Sequence, residues 1–463
     1  MEKTILIIIS IVEMMVYTIT IYYFILGMFG LRKKKLISKS CGKRKFAMVV
    51  AAHNEELVIK KLIESLFNQT YPKELFDIFV VADNCTDKTA EIARESGAIV
   101  YERFDKKRVG KGYALEWIFE RIFKENKYDT IAIFDADNLV NKNWISEINS
   151  KMQEGYKVVQ GYIDSKNPSD TWIAASYSIA FWTQNRLYQL ARTNLNLSNQ
   201  IGGTGFAMDI DKLREVGWEA QCLTEDLEFS CKVVLSGEKI GWAHDAIIYD
   251  EKPLTLKDSW KQRKRWMQGF SDVASRYFFR LLSSGIKEKK WFLIDSALYV
   301  VQPYVTLFIG LSILINILPK FTSYGVNIYS INYLFGSTII AMIAFSQLLI
   351  VPIILKIDNN ISKGMLAVLV LYTTSIFAIP QLIGGSDKLL KLILIYICDY
   401  TIFFLLTYMI LGKEDVKLLI RFILYGLYNI TWIPISIQGI IHKNNKEWSH
   451  TKHTRDVEIK DVK

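Results

Sequence analysis

The sequence predicts a multi-pass membrane protein in which an α/β domain is combined with an α-helical transmembrane bundle. Apolar runs of about 20 residues lie at the N-terminus and recur after Trp291, and a helix needs about 20 such residues to cross a bilayer core. Residues 46–285 have the mixed composition of a water-soluble domain. Short β-branched runs alternate there with amphipathic stretches, a pattern typical of a doubly wound α/β sheet.

Five strands and three helices are predicted within this domain from the apolar periodicity. The strands are Phe46 to Ala52, Ile78 to Ala82, Ala98 to Tyr101, Ile131 to Phe134 and Val158 to Gly161. The helices are Glu55 to Phe67, Asp87 to Ser96 and Lys111 to Phe123. Because ligands of such sheets bind beyond the carboxyl ends of the strands, functional residues are expected where these strands end.

Composition excludes several classes of protein. The 463 residues carry 57 Lys+Arg against 47 Asp+Glu, a formal charge of +10, and 51% are hydrophobic. These values argue against a disordered chain, a collagen-like fibre and a small disulfide scaffold. The five cysteines, among them Cys41, form no Cys-x-x-Cys pair, so we interpret them as reduced thiols. Basic patches interleaved with aromatic residues in the manner of nucleic-acid-binding proteins are lacking, so no nucleic-acid partner is predicted.

The first apolar run predicts the orientation in the membrane. It extends from Ile5 to Phe29, too long for a signal-peptide core, and no small-residue cleavage site follows it. Residues 1–31 are therefore expected to remain as a transmembrane helix. Arg32-Lys33-Lys34-Lys35 come next, and by the positive-inside rule they place the domain 46–253 in the cytosol, under the plasma membrane.

Five apolar stretches follow Gly285 within residues 286–441. If all five crossed the bilayer, the basic tail 442–463 would lie outside the cell, against the positive-inside rule. The stretch 364–383 is the shortest and contains Pro380, so it is predicted to be an interfacial or re-entrant helix, which leaves about four crossings. The tail segment Trp448 to Arg455 could fold back on the soluble domain or remain solvated.

Acidic and amide residues stand where three predicted strands end. They are His53-Asn54-Glu55-Glu56, Asp83 and Asp135-Ala136-Asp137. Two carboxylates separated by one residue at a strand end can share a hard divalent cation, which in turn neutralises a diphosphate. Two solvated loop acids are the alternative interpretation of Asp135 and Asp137.

Two glycine-rich segments and one acidic segment add to this pattern. Gly110-Lys111-Gly112 opens a predicted helix, where a cation and free N–H groups could meet a phosphate or ribose; a solvated lysine is the alternative. Gly202-Gly203-Thr204-Gly205 would let a bulky substrate approach the backbone. In Thr224-Glu225-Asp226, an acid inside a cleft could take a proton from a sugar hydroxyl. A helix that Thr224 caps and whose dipole Asp226 supports is the alternative, favoured where the motif stands alone.

The segment 254–285 mixes aromatic and basic residues and is predicted to be an amphipathic helix in the membrane plane. It contains Gln262-Arg263-Lys264-Arg265-Trp266. In a helix, Gln262, Arg265 and Trp266 share one face, which offers an amide, a guanidinium for phosphate oxygens and an indole for stacking on a pyranose. A tryptophan anchor with lipid-facing arginines is the alternative.

Taken in this order, the motifs resemble those of the membrane-embedded processive family 2 glycosyltransferases, the synthases of cellulose, other β-glucans, chitin-like polymers and hyaluronan. The resemblance covers roughly 46–290 by motif and the rest by topology. It implies a GT-A type fold, a nucleotide-diphospho-sugar-binding α/β domain beneath a helical bundle through which the polymer leaves. The short tail after Ile441 and the single N-terminal helix differ from Gram-negative cellulose synthases, so a compact synthase without an appended regulatory domain is expected.

The resemblance also implies a role for each matched residue. Asp83, Asn54 and Glu55 would hold the uridine, Lys111 would assist at the ribose or phosphates, and Asp135 with Asp137 would bind Mg²⁺ or Mn²⁺ on the diphosphate. The implied catalytic residues are Asp226 as general base, Asp137 and Arg265. The remaining implied substrate contacts are Gln262 and Arg265 on the leaving diphosphate, Trp266 under the acceptor sugar, and Gly203, Thr204, Gly205, Glu225 and Arg263.

The implied reaction is inverting transfer from a UDP-sugar, with UDP-glucose favoured, to a growing polysaccharide that is exported across the membrane. An N-acetylglucosamine polymer or hyaluronan-type product, a non-processive transfer to a lipid, and a non-catalytic nucleotide-sugar sensor stay open as alternatives. Three acidic residues in the apolar runs, Glu13, Asp295 and Asp399, would line a sugar path or pair neighbouring helices.

Overall fold

The computed structural model describes residues 2–33, 42–219, 222–317, 337–383, 389–445, 455 and 457–462. Cys41, the basic residues Lys34 and Lys35, and most of the predicted tail segment beginning at Trp448 lie outside the described residues.

One eight-stranded sheet organises the soluble domain, and its strand order is β3-β2-β1-β4-β7-β6-β8-β5. The strands are β1 Phe46–Ala52, β2 Phe76–Asp83, β3 Ile99–Arg103, β4 Thr130–Asp135, β5 Leu139–Val140, β6 Val158–Ser165, β7 Phe206–Asp209 and β8 Ile240–Asp250. Strands β1 to β4 are parallel to one another, whereas β7 runs antiparallel to both β4 and β6. The predicted α/β fold is confirmed, but the sheet is mixed.

Each of the five predicted strands overlaps a strand of this sheet, whereas β5, β7 and β8 were not predicted. The strands β5 and β7 contain two and four residues, too few for a periodic apolar pattern to stand out. Residues 46–50 are fully buried, because helices cover both faces of the sheet, and this explains the uninterrupted apolar runs of the central strands.

Nine α-helices of the described chain precede the long basic helix. They are α1 Glu2–Met28, α2 Ile59–Phe67, α3 Thr89–Glu95, α4 Lys111–Glu125, α5 Trp144–Gln153, α6 Trp172–Gln184, α7 Ala191–Asn194, α8 Ile210–Val216 and α9 Glu225–Leu235. A π-helical segment, Asn185–Leu190, joins α6 to α7. The helix predicted from Glu55 begins at Ile59. The residues before it form a turn in which the carbonyl oxygen of Glu55 accepts from the N–H groups of Val58 and Ile59.

The long basic helix and the apolar helices follow. They are α10 Leu256–Glu288, α11 Trp291–Val300, α12 Gln302–Ile317, α13 Ser337–Ile357, α14 Lys363–Ile383, α15 Leu389–Leu411, α16 Lys413–Ile430 and α17 Trp432–Ile441. Helix α10 is 33 residues long, and it packs against α9, α11 and α17. It therefore joins the soluble domain to the apolar helices.

Three stretches of the described chain are long and apolar enough to cross a membrane: Ile11–Met28, Ile393–Leu411 and Lys413–Ile441. The pair Trp291–Val300 and Gln302–Ser312, bent by 61°, would make a fourth if it forms one span. The stretch 364–383, predicted to be interfacial or re-entrant, lies in the continuous helix α14. The number of crossings stays a prediction.

Candidate active site

A cavity of about 470 Å³ lies between the carboxyl ends of the strands, helices α9 and α10, and the apolar helices α11, α16 and α17. This volume falls in the range of small-molecule sites. Twelve of the fifteen residues singled out from the sequence line it: Glu55, Asp83, Lys111, Asp135, Asp137, Gly203, Thr204, Glu225, Asp226, Gln262, Arg265 and Trp266. The structure thus brings together motifs that are up to about 200 residues apart in the chain.

Asp83 lies at one end of the cavity, where β2 ends. It pairs in register with Arg103 at the end of β3, and the Arg103 Nη1 donates to Asp83 Oδ1 at 2.5 Å. Burial raises the pKa of the Asp83 carboxyl, and the Arg103 guanidinium opposes that shift. Arg103 was not predicted as a site residue. The feature that could have identified it is an arginine at the end of the strand that neighbours β2.

Asn54 does not line the cavity, and its role in holding uridine stays a prediction. Its backbone is left-handed, with φ of 55°, a conformation that asparagine tolerates better than most residues. Its Oδ1 accepts from the N–H of Thr86 at 2.8 Å. Asn54 therefore connects the loop after β1 to the loop after β2, and Glu55 next to it lines the cavity.

The turn that follows β4 is held rigidly by neighbouring polar groups. The Asp135 N–H donates to Thr204 Oγ1 at 3.0 Å and to Asn138 Oδ1 at 3.1 Å. The Asp137 carboxylate accepts from the Glu251 N–H at 3.0 Å. Both aspartates line the cavity, so their carboxylates are presented to whatever occupies it.

Lys111 begins α4 and reaches across the cavity. Its ammonium group forms an ion pair with Asp135 and donates to the carbonyl oxygen of Gly203 at 2.7 Å. This contact joins the first predicted glycine-rich segment to the second. It also places the Lys111 ammonium group beside the Asp135 carboxylate. A positive charge at this point could bind the negatively charged oxygens of a diphosphate.

The carboxylate oxygens at the carboxyl ends of the strands could bind a divalent cation together with a substrate. Within the described ranges there is no group of three or more His, Cys, Asp or Glu side chains placed to hold a metal ion by themselves. Asp135 and Asp137 offer two carboxylates, and Mg²⁺ is commonly held by one or two carboxylates together with substrate phosphates and water. The chemistry of the pair is therefore suited to Mg²⁺ or Mn²⁺ on a diphosphate.

Asp250, at the end of β8, is a cavity residue that the sequence analysis missed. Burial raises the pKa of its carboxyl to about 6. The Lys252 ammonium group opposes this shift, and the Asp137 carboxylate adds to it. Lys252 Nζ lies 2.5 Å from Asp250 Oδ1. The available signal was another acid at a strand end, but β8 itself was not predicted.

Glu225 and Asp226 open α9 and line the middle of the cavity. Burial raises the pKa of both carboxyls, to about 7 for Glu225, while the Lys111 ammonium group lowers both. Gly203 lies next to Asp226 in a left-handed conformation with φ of 84°. A Cβ at Gly203 would lie 3.4 Å from Asp226 Oδ2, so the glycine leaves room around this carboxylate.

Gln262, Arg265 and Trp266 line the cavity from one face of α10. Gln262 Oε1 accepts from the Tyr177 hydroxyl at 2.9 Å, and the Trp266 ring contacts Tyr177 edge to face. Within the described part of the chain, the buried Arg265 Nε has no hydrogen-bond partner. A buried guanidinium N–H group without a protein partner is suited to donate to an anionic ligand.

Arg263 lies on another face of α10 and does not line the cavity, so its predicted substrate contact is not supported. It is fully buried, it donates to Thr431 Oγ1 at 2.9 Å, and its guanidinium lies 4.1 Å from the centre of the Tyr428 ring. The helical rotation of about 100° per residue separates it from Gln262 and Arg265. Arg263 therefore anchors α10 to α16.

Gly205 also lies outside the cavity lining, and its substrate contact stays a prediction. A Cβ at this position would lie 2.8 Å from Ile248 Cδ1, and the backbone has φ of 62°. Gly205 therefore allows the glycine-rich loop to pack closely on β8, which positions Gly203 and Thr204.

Comparison with known proteins agrees with this geometry. Residues 43–269 match the family described as glycosyltransferase like family 2. This region is a family 2 glycosyltransferase domain. The predicted resemblance is thereby confirmed at the level of family 2, whereas its membrane-embedded processive part stays a prediction. The mixed α/β sheet with its cavity is the nucleotide-sugar glycosyltransferase fold of the domain.

Three relatives of this glycosyltransferase domain carry different names. The chain is 28% identical over 275 residues to "Probable glycosyltransferase YdaM" of Bacillus subtilis, covering 58% of this chain and 64% of that protein. It is 26% identical to a beta-monoglucosyldiacylglycerol synthase of Nostoc sp., covering 56% of this chain and 55% of that protein. It is also 26% identical to a poly-beta-1,6-N-acetyl-D-glucosamine synthase of Staphylococcus aureus, covering 51% of this chain and 57% of that protein. The chain thus spans between 55% and 64% of the length of these relatives.

Among solved structures, a mannosyltransferase of Pyrobaculum calidifontis in complex with GDP-Man and Mn²⁺ aligns with a TM-score of 0.48 and 14% identity, covering 72% of this chain and 99% of that chain. A second structure is glucosyl-3-phosphoglycerate synthase of Mycobacterium tuberculosis in complex with Mn²⁺, UDP and glucosyl-3-phosphoglycerate. It aligns with a TM-score of 0.37 and 18% identity, covering 50% of this chain and 80% of that chain.

Proposed function

We propose that the protein is an inverting glycosyltransferase that transfers a sugar from a UDP-sugar to an acceptor arriving from the apolar helices. The observation that carries this proposal is the composition of the cavity described above. Its sheet side presents Asp83, Asp135 and Asp137, and its membrane side presents Trp266 and Trp432. A polar site for the sugar donor and an aromatic site for the sugar acceptor would thus share one cavity, which Asp226 also lines.

The donor would lie along the carboxyl ends of the strands. Asp83 and Glu55 would accept from the N–H and hydroxyl groups of uridine, and Lys111 would meet the diphosphate. A Mg²⁺ or Mn²⁺ ion held by Asp135 and Asp137 would neutralise the charge of that diphosphate. Arg265, which lines the cavity and has a buried Nε without a partner in the described chain, would stabilise the charge that develops on the leaving UDP.

Asp226 would act as the general base. Its carboxylate takes the proton of an acceptor hydroxyl while the hydroxyl oxygen forms a bond to the anomeric carbon and the bond from that carbon to UDP breaks. The electron pair of the broken bond leaves with UDP. Attack opposite the leaving group converts an α-linked donor into a β-linked product. Burial of Asp226 raises its pKa, which strengthens it as a proton acceptor once it is ionised.

The acceptor would be a carbohydrate. Four aromatic side chains line the cavity beside α10, from α6, α11, α16 and α17: Phe181, Tyr299, Tyr428 and Trp432. Aromatic faces stack well on pyranose rings, whereas an acyl chain would be served equally by aliphatic residues. This lining supports a growing polysaccharide as acceptor, with β-glucan made from UDP-glucose as the leading product and export through the apolar helices of the plasma membrane.

A second candidate is transfer of one sugar to a lipid, and a third is an N-acetylglucosamine polymer. The names of two relatives favour them, one a glucosyldiacylglycerol synthase and the other a poly-N-acetylglucosamine synthase. Both use the same donor site and base, so the three candidates differ in the sugar and in the acceptor. A hyaluronan-type product is a further variant of the polymer.

Product analysis would separate these candidates. The full chain in lipid nanodiscs is incubated with labelled UDP-glucose, UDP-N-acetylglucosamine or UDP-glucuronate, with Mn²⁺ and Mg²⁺ in turn. We expect a water-insoluble product from UDP-glucose that a β-glucanase digests, and linkage analysis then distinguishes β-1,4 from β-1,3 bonds. Short organic-soluble products would establish lipid glycosylation instead. Donor binding without UDP release from any donor would reject the enzyme and leave a sensor.

A further inference from the structure

A C-terminal segment of the chain packs on the catalytic domain at its sheet edge. Val462 is only 5% exposed and forms a small apolar cluster with Leu139 of β5 and Tyr249 of β8. Val457 and Ile459 are partly buried against the same cluster. The predicted basic tail 442–463 therefore contributes side chains to the packing of the glycosyltransferase domain.

This apolar cluster lies next to the carboxylates proposed to bind the cation. Leu139 follows Asp137 by two residues, and Tyr249 directly precedes Asp250. The two cluster residues are paired in register across the β5–β8 ladder. Immediately beyond that pair, the Glu251 N–H donates to Asp137 Oδ2 at 3.0 Å. The position of Asp137 therefore depends on how firmly β5 is held on β8.

Polar contacts of the C-terminal segment reach the same region. The Arg455 N–H donates to Glu251 Oε2 at 3.1 Å, and the Arg455 guanidinium forms an ion pair with Asp170. Glu251 is thus bonded through its N–H to Asp137 and through its carboxylate to the C-terminal segment. The segment therefore contacts both the apolar cluster and the residue that holds Asp137.

We propose that residues 455 and 457–462 are a positioning element that holds Asp137 in place for the divalent cation. Strand β5 has only two residues, so few ladder hydrogen bonds hold it on β8, and the apolar cover supplied by Val462 stabilises it. Groups that orient metal ligands from behind commonly change metal affinity by about 10 to 100-fold when they are removed. This proposal rests on the proposed function only in assigning the cation to Asp135 and Asp137.

The test measures Mn²⁺ binding to the full chain in nanodiscs at saturating UDP, from the electron paramagnetic resonance signal of free Mn²⁺. Deletion of residues 455–463 is expected to raise the dissociation constant for Mn²⁺ about tenfold. UDP affinity without metal should change less than about twofold, since five strands separate β5 from β2, which ends at Asp83. Addition of a synthetic peptide spanning 455–463 should restore Mn²⁺ binding.

Point variants separate positioning from general stability. Val462→Asp should reproduce the deletion and Val462→Ile should bind Mn²⁺ like the unchanged protein, because only the former places a charge in the apolar cluster. Glu64→Gln, which weakens the other partly exposed ion pair of Lys61 and lies outside this segment, is the matched control and should have no effect. A merely structural role would lower the thermal midpoint of the variants and leave the Mn²⁺ dissociation constant unchanged.

The proposal is overturned if the deletion and Val462→Asp both bind Mn²⁺ within about twofold of the unchanged protein, or if the unchanged protein binds no Mn²⁺ with UDP. Its outcome is independent of turnover. Mn²⁺ binding that responds to the deletion, in a protein that transfers no sugar, would reject the proposed function and retain the positioning role.

Discussion

Gly269 of α10 lies directly against the side chain of Thr224, the residue that precedes Glu225 and Asp226. A Cβ at Gly269 would lie 2.3 Å from Thr224 Oγ1 and 2.4 Å from its Cγ2, closer than any van der Waals contact. Gly269 follows Arg265 by one helical turn. This contact therefore sets the distance between the proposed base and the face of α10 that would clasp the leaving group.

Gly269→Ala should therefore separate α9 from α10 and displace Asp226. We expect kcat to fall about tenfold to a hundredfold, because a displacement of about 1 Å is enough for such a loss. UDP binding, measured by calorimetry, should change little. Gly426→Ala is the matched control on α16: a Cβ there meets nothing within 4 Å, so activity should be retained. Full activity of Gly269→Ala would contradict the positional argument.

Asp226→Asn should abolish sugar transfer and leave UDP binding intact. The amide preserves the shape of the side chain but accepts no proton from the acceptor hydroxyl, so the base is lost. Release of UDP from the donor is the measurement for turnover, and calorimetric titration with UDP is the measurement for binding. A variant that still transfers sugar at the original rate would assign the base to another residue.

The pH dependence of kcat/KM should show an acidic limb above the ordinary range of aspartate. Burial raises the pKa values of Asp226 and Glu225, and only an ionised base accepts a proton, so activity should rise with pH. Burial and the Asp226 carboxylate raise the pKa of Glu225 to about 7, so Glu225 is still protonated while Asp226 ionises. Glu225→Gln should therefore leave the limb of Asp226 in place; loss of the limb in this variant would assign the base to Glu225.

The same raised pKa values predict how stability depends on pH. A carboxyl whose pKa is raised on folding contributes stability below its unfolded pKa of about 4.3, and that contribution is lost as pH rises through the folded value, which is about 7 for Glu225. The thermal midpoint should therefore decrease across this window less steeply in Glu225→Gln than in the unchanged protein.

Arg263 and Arg265 are two residues apart on α10 but should respond differently to replacement by alanine. Arg263→Ala removes a fully buried side chain and its bond to Thr431, so we expect a loss of about 2 kcal/mol or more of stability. Arg265→Ala should instead lower kcat/KM, because its side chain lines the cavity. Thermal unfolding and steady-state kinetics of both variants, side by side, test this assignment.

Much of the site was predictable because its residues belong to local patterns. Acids at the ends of apolar runs, such as Asp83 and Asp137, lie at one edge of a parallel sheet as a consequence of strand direction alone. The spacing of Gln262, Arg265 and Trp266 in a helix likewise determined a shared face. For these residues the sequence was sufficient, since the period of a strand or a helix is a local property.

Tertiary structure decided the rest. Asp250 and Arg103 reach the site through strand pairings that no local pattern reveals. The helical period alone puts Arg263 on another face of α10, but only the packing of α16 supplies Thr431 and Tyr428 as its partners. The docking of Val462 on β5 and β8 depends on a contact between positions more than 200 residues apart. The sequence alone determined the α/β domain, the apolar helices and the chemical groups at the site; only packing between distant segments decided which of those groups meet.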